Sequence, residues 1–181
     1  MVYEGRHIPI STIPGMWQRT ITLRSLAKTF SLTGWKIGWA IAPAHLTRAV
    51  QAAHQFLTYA VPTPLQHGAT TALSMGEGYY AQLGADYLAR RDLLCNALRS
   101  VGFNVSVPAG SYFVMCDHTP FGYAQSEDFC EHLVREIGVA AIPPGSFYKD
   151  PADGAHLVRF AFCKTMPVLE EAIARLSRLS N

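Results

Sequence analysis

Residues 24–39 read RSLAKTFSLTGWKIGW and hold two of the chain's four lysines, Lys28 and Lys36, in one glycine-punctuated stretch between apolar runs. A lysine that serves solubility alone belongs on a helix face, so two amines here call for a chemical explanation. Upstream, Thr20-Ile-Thr-Leu23 alternates as a short strand does, and Ile37-Gly-Trp-Ala-Ile-Ala42 reads as a second strand stopped by Pro43. The lysines are therefore expected on a loop between two strands, with Ser25 at its start. A strand-end turn offering a hydroxyl, backbone amides and an ammonium can cradle a phosphate through charge-assisted hydrogen bonds. It does not match GxxxxGK[ST], which disfavours a nucleoside triphosphate loop. A second lysine can do what a phosphate clamp cannot, because its deprotonated amine can form a Schiff base with an aldehyde. Two solvated loop lysines remain the alternative on spacing alone.

Working outward, MVYEGRHIPISTIPGMW at the start is rich in Pro, Gly and Ser and is expected to be loop. After Pro43, Leu46, Ala49, Val50, Ala53, Phe56 and Leu57 follow helical spacing. Pro62-Thr63-Pro64 ends that helix and starts another, with Thr63 as N-cap. A long helix carries Tyr80, Leu83, Tyr87, Leu94 and Leu98 on one face and stops at Gly102. Beyond Phe103 the predicted order is strand, strand, helix, strand, strand, helix, an α+β module. Its strands include Tyr112–Cys116, Val139–Ile142 and His156–Phe162; Ser126 caps one helix and Thr165 opens the last.

The totals narrow the class. At 181 residues the chain suits one large domain or two small ones. Only 15% of residues are charged and 49% are hydrophobic, which points to surface covered by a partner. A net charge of +2 argues against nucleic acid as the principal ligand. Cys95, Cys116, Cys130 and Cys163 form no CxxC pair and the histidines no HExxH, so neither a metal site nor a disulfide framework is expected. No apolar run reaches the roughly 18 residues of a membrane helix, and no signal pattern opens the chain. A soluble, cytoplasmic protein is the expectation.

In HLVRFAFCK at 156–164, Arg159 lies on the strand face opposite Val158, Phe160 and Phe162. A guanidinium emerging there suits a carboxylate, with a structural ion pair to an Asp or Glu as the alternative.

The stretch SLAKTFSLTGWKIGW resembles the pyridoxal-phosphate attachment segment of class I/II (fold-type I) aminotransferases, S-x-x-K-T-F/Y-x-x-T-G-W-K/R-x-G-W/Y. The likeness is most evident to the kynurenine, glutamine and methionine aminotransferase group. GSYF at 110–113, VAAIPPGSFY at 139–148 and the strand bearing Arg159 resemble further family segments. The resemblance implies pyridoxal 5'-phosphate as cofactor, Lys28 as the Schiff-base lysine, and Ser25 and Lys36 on the cofactor phosphate. It implies Arg159 as the clamp on the substrate α-carboxylate and Tyr3, in a D-E-V-Y-like segment, on the cofactor's phenolic oxygen. HQFLTYAVPT at 54–63 looks like the segment that reaches across a homodimer, where Tyr59 lines the partner's substrate pocket, with a packed aromatic at a helix end as the alternative.

By this resemblance the fold is α/β, the C-terminal part of a large cofactor-binding domain (residues 1–89) followed by a small α+β domain (residues 90–181). The match corresponds to the family's C-terminal half, and the aspartate that pairs with the pyridine nitrogen is expected just before Met1. The implied activity is transfer of an amino group from an L-amino acid to a 2-oxo acid. A C–S β-lyase on the same fold, and a catalytically silent dimerisation or regulatory fragment, are the two rival readings.

Overall fold

Regular structure in the computed structural model, which describes residues 1–180, begins with strands β1 (Thr22–Ser25) and β2 (Gly38–Ile41). Helices α1 (Ala44–Leu57), α2 (Thr63–Leu73) and α3 (Glu77–Ser100) follow. Then come β3 (Asn104–Ser106), β4 (Phe113–Asp117), α4 (Ser126–His132), β5 (Leu157–Ala161) and α5 (Met166–Leu176). The chain divides into two units, Arg6–Tyr79 and Met1–Gly5 with the chain from Tyr80 onward. The division falls inside α3, the helix in which the sequence suggested a boundary near Arg90. No helix among the described residues is long and apolar enough to cross a membrane.

The unit from Tyr80 is built on a three-stranded antiparallel sheet of order β3-β4-β5. Alternation assigns its faces: Val114, Cys116, Val158 and Phe160 are buried, while Phe113, Met115, Leu157 and Arg159 point the other way and are half-covered. The buried face joins one core with α3, whose Tyr87, Leu94, Cys95 and Leu98 recur at helical spacing, and with Phe129, Leu133, Leu169 and Leu176 of the later helices. Gly102 (φ 110°) and Gly138 (φ 78°) take left-handed turns just past helical segments, a conformation open to glycine at little cost. Leu133–Ile137 widens into a π-turn after α4.

Three local expectations shift. Val139–Ile142 is not a strand: only Ile142 pairs, in a bridge to Arg159, because Pro143 and Pro144 follow at once and carry no N–H for a ladder. The first strand starts at Thr22 rather than Thr20, since Thr20 is drawn into the preceding turn by its hydroxyl, which donates to the Met16 carbonyl at 2.7 Å. Ser126 and Thr63 are the first residues inside their helices and cap nothing; Gln125 and Pro62 hold the N-cap positions.

The Arg6–Tyr79 unit is an antiparallel β1–β2 ribbon with α1, α2 and two short 3-10 turns ahead of it. Its buried apolar residues are Leu26, Ile37 and Ala69, with Phe30, Leu32, Trp35, Trp39, Val61 and Leu65 partly buried around them. α1 is a regular helix with no buried residue, and every position from Gln51 to Ala60 is exposed.

Candidate active site

The ribbon positions the lysine loop. Ser25 is the last residue of β1, opposite Gly38, and one further bond from the Leu26 N–H to the Ile37 carbonyl (3.2 Å) closes the ladder. A side chain at 38 would put its Cβ 2.6 Å from the Arg24 carbonyl, so the ribbon needs glycine there. Leu26 and Ile37 are buried, and between them residues 27–36 form the loop. Lys28 sits in a turn whose Phe30 N–H returns to the Leu26 carbonyl (3.2 Å), and the Thr33 hydroxyl donates to the Ala27 carbonyl (3.1 Å). Trp35 packs against the backbone of α2, where a Cβ on Gly68 would lie 2.6 Å from its ring. Phe30 stacks on Tyr79 at 5.4 Å, and the Tyr79 hydroxyl donates to the Thr29 carbonyl at 2.7 Å.

This loop stores strain at its chemical end. Ser31 (φ 55°) and Lys36 (φ 56°) both occupy the left-handed region, which costs a residue with a Cβ about 1 kcal/mol or more and persists only when surroundings enforce it. Ser25, Lys28 and Lys36 are all exposed. The structure thus puts Lys28 and Lys36 on one braced loop and Ser25 at the end of the strand that leads into it. Sequence reasoning missed the charge that surrounds them. From Gly5 to Gly76 the chain has no acidic residue, while Arg6, Arg19, Arg24, Lys28, Lys36 and Arg48 are basic. That run was countable from the first reading but was hidden by a net charge near zero, which the acidic remainder of the chain produces.

Arg159 belongs to the other unit. Its backbone N–H and carbonyl both bond to Ile142 at 3.0 Å, and it pairs across the sheet with Met115. Its side chain emerges on the face opposite the core, with the guanidinium carbon 5.0 Å from the Phe113 ring centre and 4.9 Å from that of Phe147. Among the described residues no carboxylate pairs with it, whereas Arg91, Arg135 and Arg175 each meet an acid. The structural ion pair weighed from sequence is therefore absent among these residues.

Tyr3 lies in the same unit as Arg159, because residues 1–4 run as a strap along 109–111: the Tyr3 N–H meets the Ala109 carbonyl at 2.8 Å and Val2 bridges Gly110. Its hydroxyl donates to the Ser111 carbonyl at 2.5 Å, and burial pushes its pKa up to about 12 against the pull of Arg91. Arg91, itself buried, bonds Glu4 (2.8 Å) and the Pro108 carbonyl (3.0 Å) and lies over the Tyr3 ring. Tyr59 follows α1 in the other unit at φ 65° and is 84% exposed, so it is not the packed aromatic weighed as its alternative.

With this geometry in view, comparison with known proteins gives a decisive match: the profile of the aminotransferase class I and II family covers residues 2–176. The chain is a class I/II aminotransferase sequence. It is 45% identical, over 98% of its length, to a probable N-succinyldiaminopimelate aminotransferase of Mycobacterium tuberculosis, covering 47% of that protein. It is 36% identical over its whole length to a kynurenine–oxoglutarate transaminase of Dictyostelium discoideum, covering 46% of it. The solved structure of the Mycobacterium tuberculosis enzyme superposes with a TM-score of 0.93 at 44% identity over 99% of this chain and 47% of that one. That of a methionine aminotransferase from Escherichia coli gives 0.90 at 32% over 98% and 47%. This aminotransferase chain thus spans about half the length of the curated relatives it matches. The α/β fold expected from the lysine motif is the fold these structures share.

The family works with pyridoxal phosphate, and the residues present fit it. A hydroxyl and an ammonium flank the loop, a second amine stands within it, and the surrounding run of chain is free of acids that would repel a phosphate. The aminotransferase's predicted residues fall on two units: Ser25, Lys28, Lys36 and Tyr59 on one, Tyr3 and Arg159 on the other.

Proposed function

We propose that the protein carrying this chain is a pyridoxal-phosphate-dependent aminotransferase that moves an amino group from an L-amino acid to a 2-oxo acid. The observation that supports this reading is the braced loop carrying Lys28 and Lys36 directly after Ser25 at the end of the ribbon, in an acid-free run of chain. In this reading the Arg6–Tyr79 unit is part of the cofactor-binding domain and the unit from Tyr80 is the small domain.

When bound, the cofactor supplies an aldehyde that takes up the amino group and a conjugated ring that draws electrons from the substrate α-carbon. Ser25 and Lys36 hold its phosphate, one by hydroxyl donation and one by charge. Lys28 would be the attachment amine and, once released, the general base that moves a proton between the substrate α-carbon and the cofactor's aldehyde carbon. Arg159 would grip the α-carboxylate through two parallel N–H bonds, which restricts the substrate's orientation. Tyr3 would hydrogen-bond the cofactor's phenolic oxygen through its hydroxyl. Tyr59, with exposed Phe56 and Leu57 beside it, is proposed to meet a second copy in a homodimer. The protein is proposed to be cytoplasmic, and an N-acylated diamino acid, kynurenine and methionine are the donors to try first, because its relatives are named for them.

The test uses the full-length protein. Added pyridoxal phosphate is expected to give a visible band that borohydride fixes to the Lys28 peptide and that Lys28→Ala abolishes together with amino transfer. A band and transfer that persist in Lys28→Ala would overturn the assignment. Thiol release from cystathionine without any oxo acid moves the reading to β-elimination, and a folded protein with no band moves it to a silent module.

A further inference from the structure

Arg159 poses a positioning problem that its own strand does not solve. The backbone is fixed on both sides, by β4 and by the Ile142 bridge. The side chain beyond it is long, and with no acid among the described residues to hold it, it would sample many rotamers before a ligand arrives. An ion pair would hold it still but would occupy the N–H edge that a carboxylate must reach, as at Arg91, where Glu4, Asp92 and the Pro108 carbonyl take up that edge. Stacking against a ring uses the guanidinium's face instead and leaves the donors along its edge available.

Two rings are placed to do this. Phe113 lies on β4, paired with Ala161 and two residues from Met115, so it is the diagonal neighbour of Arg159 on the same face of the sheet. Phe147 ends the 3-10 turn Gly145–Phe147, whose own N–H bonds the Pro144 carbonyl at 2.9 Å. That turn is pinned from behind by glycines: a Cβ at Gly154 would stand 2.8 Å from the Tyr148 ring and 3.0 Å from the Gly145 backbone. Phe147 is nevertheless 66% exposed, so its ring contributes little to the core.

We propose that Phe147 and Phe113 are positioning residues for Arg159, holding its guanidinium plane by cation–π stacking so that its N–H edge is ready for the substrate carboxylate. This rests on the reading of Arg159 as the carboxylate-binding group. Neither ring performs chemistry. Both reduce the side-chain freedom that Arg159 loses when a substrate binds.

Substrate kinetics of the full-length, cofactor-loaded enzyme test it. Phe147→Leu is expected to raise KM by about threefold to tenfold with kcat within about twofold, since the interaction lost is equal in ground and transition states. The rise should have the same factor for the amino donor and the oxo-acid acceptor, and for donors with different side chains, because all share the α-carboxylate. Phe147→Tyr, which keeps a ring face, should restore KM, and the thermal midpoint of both variants should stay at the parent value. Phe113→Leu should act in the same direction. A rise in KM that depends on the donor's side chain would make Phe147 a pocket wall and overturn the inference. If Arg159→Lys raises KM strongly while both phenylalanine variants leave it unchanged, the inference falls and the carboxylate role of Arg159 stands. If Arg159→Lys leaves KM unchanged, the carboxylate role falls and the inference with it.

Discussion

The unit from Tyr80 and the Arg6–Tyr79 unit contain helices and strands of similar quality but differ in what those elements cover. In the first, a sheet face and three helices share one core in which Val114, Cys116, Phe129, Leu133, Val158 and Phe162 have no exposure at all. In the second, the buried apolar cluster is Leu26, Ile37 and Ala69, and the end of α1 stands in solvent, with Phe56 85% and Leu57 84% exposed. Helical spacing is therefore enough to build α1 but not to bury it. The chemistry divides along the same line. The sparsely packed unit carries the loop with Ser25, Lys28 and Lys36, where backbone strain at Ser31 and Lys36 is held by a few ring contacts and hydrogen bonds. The well-packed unit carries Arg159 on a strand paired with β4 and bonded at Arg159 itself to Ile142.

The comparison is most exposed to core substitutions. Phe129, which stacks with His118 and Phe121 in the first unit, should cost about 3–5 kcal/mol when changed to Ala, read from the denaturant midpoint. Leu26→Ala is expected to cost about 2 kcal/mol, the low end for a buried leucine, because a small cluster relaxes around the gap. Equal losses at the two sites would mean that the two units are packed alike.

Alkaline pH should act on the first unit selectively. Burial pushes the thiols of Cys116 to about 12 and Cys130 to about 11. Unfolded thiols titrate near 8.5, so folding holds protons that the unfolded chain releases. The stability these thiols contribute is complete below about pH 8.5 and declines as pH rises towards 11–12. Urea midpoints between pH 7.5 and 10 should fall, and Cys130→Ala should flatten that slope. A slope unchanged in Cys130→Ala would show that this thiol is not its source. Smallest of all, Phe56→Ala on α1 should change the stability of a single copy by no more than about 0.5 kcal/mol, since its ring is 85% exposed there, and any larger loss should appear only where the proposed second copy is bound. A larger loss would mean that α1 is covered in solution.

Much of this was legible before any coordinates. The period of Tyr87, Leu94 and Leu98 gave α3, the alternation Val158-Arg159-Phe160 gave both the buried face of β5 and the outward arginine, and Gly102 marked the end of α3. The strand readings on either side placed Lys28 and Lys36 on one loop, because a strand–turn–strand path of that length leaves them nowhere else to go. Misses came where a neighbour distant in sequence or a backbone bond decided the outcome. Val139–Ile142 has strand composition but only one paired residue, and whether a stretch pairs depends on available backbone groups, which two prolines removed.

Tertiary structure alone decided three things. It showed that Tyr3 is tied to Ser111, 108 residues away, and that Arg91 is spent on Glu4 and Asp92 while Arg159 meets no acid among the described residues. It placed Phe113 and Phe147 against the same guanidinium. Periodicity fixes which face of an element a side chain occupies, because that follows from the local backbone. Which partner waits on that face is set by contacts between residues far apart in the chain, and no local pattern records them.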